Sequence, residues 1–211
     1  GFLNMQTEKV EGITPAANFT VVRLSRELPN RSSLGGIVVS REATGAGPNS
    51  WNRTWGLDGK LGIGRYTNIR GFVARTETPG RTGLESAYNF RIAHQRPGGN
   101  AHFEYTQVGD DFNPEVGFLT RRNYRSTSLQ VFKIIRFPDI TWLRELRPHT
   151  SLNTWWDLDG FKETETLHMD THVDFENGMF LSPAIDIEFE GLQESFEISP
   201  GVVIPAGQYR N

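Results

Sequence analysis

Between residues 163 and 189 apolar and polar side chains alternate through a turn and out the other side. No other feature constrains the fold of this chain as tightly. Leu167, Met169, Val173 and Phe175 take odd numbers, with Thr164, Thr166, His168, Asp170, His172 and Asp174 between them. After Glu176-Asn177-Gly178 the pattern resumes, with Met179, Leu181, Ile185, Ile187 and Phe189 odd and Ser182, Asp186 and Glu188 even. Successive strand side chains point to opposite faces, so the segment predicts a β-hairpin with one apolar and one ionisable face. Directly paired residues share a face. Odd residues meet odd residues only across a loop of odd length, which predicts a three-residue Glu-Asn-Gly loop with Gly178 left-handed. That loop pairs Met169 with Ile185 and Val173 with Leu181, and sets His168 opposite Asp186.

A second hairpin follows the same logic with mixed parity. Tyr88, Phe90 and Ile92 are even, while Phe103 and Tyr105 are odd, so the turn at Arg96-Pro97-Gly98-Gly99 needs an even loop. Phe90 then faces Tyr105, Ile92 faces Phe103 and Arg91 faces Glu104. The strands of the two hairpins are expected at roughly 163–175, 179–189, 86–94 and 101–108, and further strands at roughly 17–27, 34–41, 51–61, 66–76, 125–136, 141–154 and 192–199. The opening Gly-Phe-Leu-Asn-Met-Gln-Thr also alternates, like the middle of a strand. No segment carries a helical period.

The connections are expected to alternate in length. Short links at 29–33, 62–65, 96–99, 137–140 and 176–178 separate long ones at 42–50, 77–85, 109–124 and 155–162. Short turns at one end and long loops at the other characterise an up-and-down transmembrane barrel. The link near Glu190-Gly191 is expected to be short where a long one is due. Trp51, Trp55, Tyr66, Trp142, Trp155 and Trp156 fall near strand ends, as an interfacial aromatic girdle requires. Arg53 shares parity with Trp51 and Trp55 and is expected to snorkel. Pro148 and Pro183 lie inside strands and demand a bulge or an edge. The 34–41 strand has no clean alternation.

The 211 residues suit one all-β domain, since such domains run to about 200–250 residues. Zero cysteine excludes a disulfide scaffold and thiolate metal sites. A formal charge of −3 without a basic cluster argues against nucleic acid as a partner. No apolar run is long enough for a transmembrane helix. No signal peptide is evident, and the natural protein is expected to continue beyond both ends of this sequence.

Three segments carry a resemblance: Ala17-Asn18-Phe19-Thr20-Val21-Val22-Arg23-Leu24; Gly109-Asp110-Asp111-Phe112-Asn113-Pro114-Glu115-Val116-Gly117-Phe118 with Arg121 and Arg122; and Leu143-Arg144-Glu145-Leu146-Arg147-Pro148. Together they resemble a family of bacterial envelope proteins. In that family a module like the family-nine carbohydrate-binding modules precedes a long C-terminal β-barrel domain of unassigned function. The Asp-Phe-Asn-Pro-Glu-Val-Gly-Phe run is the most specific part. The similarity spans most of the chain and part of the family's barrel. It implies an outer-membrane location and supplies no catalytic residues.

Two clusters carry candidate chemistry. His168, Asp170 and His172 share one strand face, and Asp186 adds a carboxylate from across the pair, a set that suits Zn²⁺ or Fe²⁺. The alternative is a hydrated lumen wall. Asp110, Asp111 and Glu115 gather in one long loop, where they would hold Ca²⁺ or act as an acid/base pair on sugars. The alternative there is an ordered turn whose side chains cap backbone. Arg121 and Arg122 would pair with these acids or meet lipopolysaccharide phosphates. No Ser/His/Asp order, phosphate loop or nucleophile elbow is present, so no reaction is assigned.

The expectation is therefore one all-β, antiparallel, up-and-down transmembrane-type barrel segment over 1–211, about 12 strands of a larger outer-membrane barrel. It would pass or bind a glycan-related ligand. Its partners would be membrane lipid and the remaining strands of the same barrel or another chain. A soluble β-sandwich or lipocalin-like carbohydrate-binding module is the alternative, and a glycan hydrolase using the Asp110–Glu115 loop is the second.

Overall fold

In a computed structural model of the protein, residues 1–45 and 50–211 are described, and all regular structure among them is β. The strands are β1 (Phe2–Thr7), β2 (Ala16–Leu28), β3 (Ser32–Thr44), β4 (Trp51–Ile63), β5 (Thr67–Glu77), β6 (Ser86–Arg96), β7 (Gly99–Val108) and β8 (Tyr124–Lys133). They continue with β9 (Leu143–Trp156), β10 (Lys162–Phe175), β11 (Phe180–Leu181), β12 (Ala184–Leu192), β13 (Phe196–Ser199), β14 (Val202–Ile204) and β15 (Gly207–Arg210). Thirteen form an antiparallel up-and-down sheet in the order β1 to β10, then β12 and β15, with β11 pairing β10. The sheet is not closed into a barrel: among the described residues no pairing joins β1 to β12 or β15.

The first hairpin has the register that turn parity predicts. Met169 pairs with Ile185, His168 with Asp186 and Val173 with Leu181. Gly178 has φ 86°, and its N–H donates to the Phe175 carbonyl at 3.1 Å. In the second hairpin Gly98 is left-handed at φ 87° after Pro97, and Arg91 Nη1 donates to Glu104 Oε2 at 2.7 Å.

Short links 29–31, 64–66 and 97–98 alternate with long ones 8–15, 78–85 and 109–123. Of the expected long loop 42–50, residues 42–44 belong to β3 and 46–49 lie outside the described residues. Two expectations need correction. The link between β8 and β9 spans 134–142 and is longer than the 157–161 link that follows. Asp157 tightens the latter: its carboxylate and N–H bond the N–H and C=O of Phe161, at 2.8 and 3.0 Å, and Gly160 is left-handed. Nor does Glu190-Gly191 form a turn. Both lie in β12, paired with Tyr209 and Gln208 of β15. Gly191 marks a close approach instead, since a Cβ there would sit 2.2 Å from the Lys162 carbonyl. The long connection due at this point is present as residues 193–206, which carry the β13–β14 hairpin.

The prolines are accommodated without bulges. The β9–β10 register runs evenly through Pro148, paired with Thr171. The β8–β9 ladder lapses after Phe132–His149 and resumes as an isolated bridge between Ile135 and Leu146, so the missing donor of Pro148 falls in that gap. Pro183 separates β11 from β12 and still accepts the Thr171 N–H at 3.2 Å.

The chain divides into two compact units. Unit 1 comprises Gly1–Phe90 and Thr106–Tyr124; unit 2 comprises Arg91–Tyr105 and Arg125–Asn211. In unit 1, Val22, Val38 and Trp55 are direct neighbours on one face, and Leu24, Gly36, Leu57 and Val73 form the adjoining rank. Leu24, Leu57 and Val73 are 71%, 62% and 58% exposed. The opposite face carries Arg23, Asp58 and Lys60. Arg23 reaches from β2 over β3 to make a bidentate ion pair with Asp58 on β4. A Cβ at Gly35 would lie 2.6 Å from the guanidinium, which explains why the 34–41 segment breaks alternation.

In unit 2, Leu129, Leu152, Leu167 and Ile187 form one apolar rank, and Val131, Thr150, Met169 and Ile185 the next. These ranks too are largely uncovered, Ile185 at 61% exposure. Among the described residues the buried apolar side chains are only Ala17, Ala87, Val108, Phe112, Leu143 and Phe189. Trp156 lies on the apolar face with Arg125 6.0 Å from its ring centre. Trp155 does not join it: it pairs with Ser126 and Thr164 and faces the polar side, because adjacent strand residues take opposite faces. Arg53 sits 4.8 Å from the Trp51 ring centre and bonds Glu42 at 3.4 Å.

Candidate functional site

The polar face of unit 2 is built by register alone. Across β8, β9, β10 and β12 the residues Gln130, Ser151, His168 and Asp186 form one row, and Ser128, Asn153, Thr166 and Glu188 the next. Nearer the 176–179 turn, Arg147 pairs with Asp174 at 2.6 Å and approaches Glu145 at 3.6 Å, while Glu145 also holds Arg136 at 2.9 Å. Cross-strand hydrogen bonds and ion pairs thus tie the wall together.

His168 is the centre of this wall. Its Nδ1 lies 2.6 Å from Asp186 Oδ1 and its Nε2 3.2 Å from Asp170 Oδ2. His149, on β9 and directly paired with Asp170, brings Nδ1 to 3.6 Å from Asp170 Oδ1. The His149 and His168 rings are 5.4 Å apart, centre to centre. Of the four residues singled out from sequence, three come together: His168, Asp170 and Asp186. His172 stands apart, with its Nδ1 3.0 Å from Ser182 Oγ. The missed member is His149. Turn parity could not reach it, because a register shift between Lys162 and Thr164 breaks the count from β9 into β10.

The Asp110–Glu115 loop lies in unit 1 and binds its own chain. Asp110 Oδ1 accepts the Leu84 N–H at 2.8 Å. Asp111 Oδ2 accepts from the N–H groups of Gly83 at 2.7 Å and Thr82 at 3.2 Å, and Oδ1 meets Arg81 at 3.0 Å. The two amides and the Arg81 guanidinium hold the Asp111 carboxyl below its ordinary value, with the Gly83 amide the largest cause and partial desolvation opposing it. Glu115 forms an ion pair with Arg41. Phe112 is buried against Ala87 and Val108.

Asn113 is the knot between these contacts. Its N–H donates to Thr76 Oγ1 at 3.0 Å, its carbonyl accepts from Asn52 Nδ2 at 2.8 Å, and its side chain accepts from Arg122 at 2.6 Å. Asn52 and Thr76 are 1% and 0% exposed. Arg121 lies 5.3 Å from the Tyr124 ring centre. The loop therefore acts as a clasp, with each of its three carboxylates engaged by backbone amides or arginine of the same unit. The partners lie far away in sequence, which is why a reading of the loop alone sees only its acids.

Compared with protein-family models, with curated proteins and with solved structures, the chain matches none, so both clusters rest on their own geometry.

Proposed function

We propose that this chain is part of a β-barrel of the bacterial outer membrane, with its apolar ranks against lipid and its polar wall against water. Further strands of the same protein or of a partner chain would pair with the open edges at β1 and β15. The observation that carries the proposal is the set of exposed apolar ranks held in register. Leaving one large aliphatic side chain in water forgoes about 1.5–3 kcal/mol. A rank of four forgoes up to roughly 6–12 kcal/mol, as much as the whole stability of an ordinary domain. Lipid removes that penalty.

Dimensions agree. On β4 the outward residues from Trp55 through Leu57 and Leu61 to Ile63 extend about 27 Å along the strand, or roughly 20 Å of membrane depth at a barrel's usual tilt. No helix among the described residues is long and apolar enough to cross a membrane, so strands would make the crossing. Bacterial origin and a glycan-related ligand, passed through or bound at the surface, rest on the resemblance of the Asp-Phe-Asn-Pro-Glu-Val-Gly-Phe run.

Extraction supplies the test. The protein is expected in detergent extracts of membranes, with gel migration that shifts on boiling. Recovery as a compact monomer in plain buffer would overturn the proposal in favour of a soluble carbohydrate-binding module. Swelling of protein-loaded liposomes in sugar solutions then distinguishes passage from surface binding. Turnover of a glycan panel, lost on Glu115→Gln, would instead support a hydrolase.

A further inference from the structure

The geometry points to a divalent transition-metal site formed by His149, His168 and Asp170 on the polar wall, with Asp186 orienting His168. Zinc is the ion that suits it best. The site requires only the polar face and does not depend on what covers the apolar one.

Ligand placement comes from pairing. His149 and Asp170 are direct cross-strand partners, and His168 projects from the same face two residues before Asp170. One ligand atom from each of the three lies within 4.8 Å of the others. Zinc–nitrogen and zinc–oxygen bonds near 2.0–2.2 Å place tetrahedral ligands about 3.3 Å apart. His168 Nε2 lies 3.2 Å from Asp170 Oδ2 and His149 Nδ1 3.6 Å from Asp170 Oδ1, so each imidazole is near that spacing from one of the two carboxylate oxygens. Small side-chain rotations bring the two imidazoles to it.

The surroundings favour a cation. Asp186 Oδ1 takes His168 Nδ1 at 2.6 Å, which leaves Nε2 directed at Asp170, the arrangement by which a carboxylate fixes a metal-binding histidine. Asp170 Oδ1 is a buried oxygen without a hydrogen-bond donor. Two carboxylates, Asp170 and Asp186, balance the charge of a divalent ion. Arg147, two residues before His149 on the same strand face, is held by Asp174 and Glu145. Two histidines and one carboxylate are a set used by zinc and by ferrous iron, with a fourth position left for water or a ligand. The three side chains are 20–28% exposed, so an ion can reach them from solvent.

Zinc chloride titrated calorimetrically into the chelator-treated whole chain tests the site. One saturable ion per chain is expected. His149→Ala should weaken binding by about 100-fold or more, and Asp186→Asn by about 10–100-fold. His172→Ala should bind as the unmutated chain does. Cobalt(II) on the unmutated chain should give a visible ligand-field spectrum, a readout that no variant's folding can confound. Absence of saturable zinc binding, absence of the cobalt spectrum, or unchanged affinity in His149→Ala overturns the proposal. Unchanged affinity in Asp186→Asn overturns the orienting role of that residue.

Discussion

Asp111 shows how a single carboxylate sets loop geometry. Its two oxygens gather the N–H groups of Thr82 and Gly83 and the Arg81 guanidinium, joining the 78–85 and 109–123 connections. These donors favour the ionised form and lower its proton affinity in the folded state. An unfolded aspartate titrates near 3.9. The contribution of Asp111 is therefore complete above about pH 4 and is lost as pH falls through the lower folded value. Asp111→Asn is expected to unfold at a lower denaturant midpoint than the unmutated chain at pH 7, with the gap shrinking as pH drops below 4. Equilibrium unfolding at a series of pH values checks this, and a gap independent of pH would contradict it. Gly109 is a second test of the clasp. A Cβ there would lie 1.8 Å from the Leu84 carbonyl, so Gly109→Ala should cost about 1–3 kcal/mol in the same measurement.

At the scale of elements, turn length sets which side chains meet. His168 and Asp186 are directly paired, and the hydrogen-bonded Thr171–Pro183 pair three residues along makes theirs a close, non-hydrogen-bonded pair. His168→Cys combined with Asp186→Cys should therefore oxidise to a disulfide in the folded chain. Removing Asn177 makes the loop even and turns one strand's side chains to the other face, so the same cysteine pair should no longer cross-link. Mobility on a non-reducing gel after proteolysis between the strands reads both outcomes. Period and turn parity made this hairpin legible from sequence, along with the Arg91–Glu104 contact and the His168–Asp186 pair. They fail wherever the count is interrupted. The shift between Lys162 and Thr164 hides His149, and the position of Trp155 near a strand end suggests a girdle although its parity places it with Ser126 and Thr164. The clasp was illegible for a different reason: Asn52, Thr76 and Leu84 reach the loop by tertiary contact, which no local pattern encodes.

For the whole molecule, the issue is what meets each face of an open sheet. In each unit one face carries apolar ranks that stay exposed, and the opposite face carries ion pairs and hydrogen-bonded polar residues. A soluble module would cover the apolar face with protein; a membrane barrel covers it with lipid. The chain contains no cysteine, so single cysteines can be placed anywhere without background. The most direct test is a spin-label scan from Thr166 to Val173 in the bilayer-reconstituted protein, reading collision with oxygen, which partitions into lipid, and with a water-soluble nickel chelate. With the apolar face against lipid, oxygen accessibility is expected at Leu167, Met169, Thr171 and Val173 and chelate accessibility at Thr166, His168, Asp170 and His172, alternating with a period of two. Labels at the odd positions that meet the chelate as readily as their neighbours, or neither reagent, would contradict it.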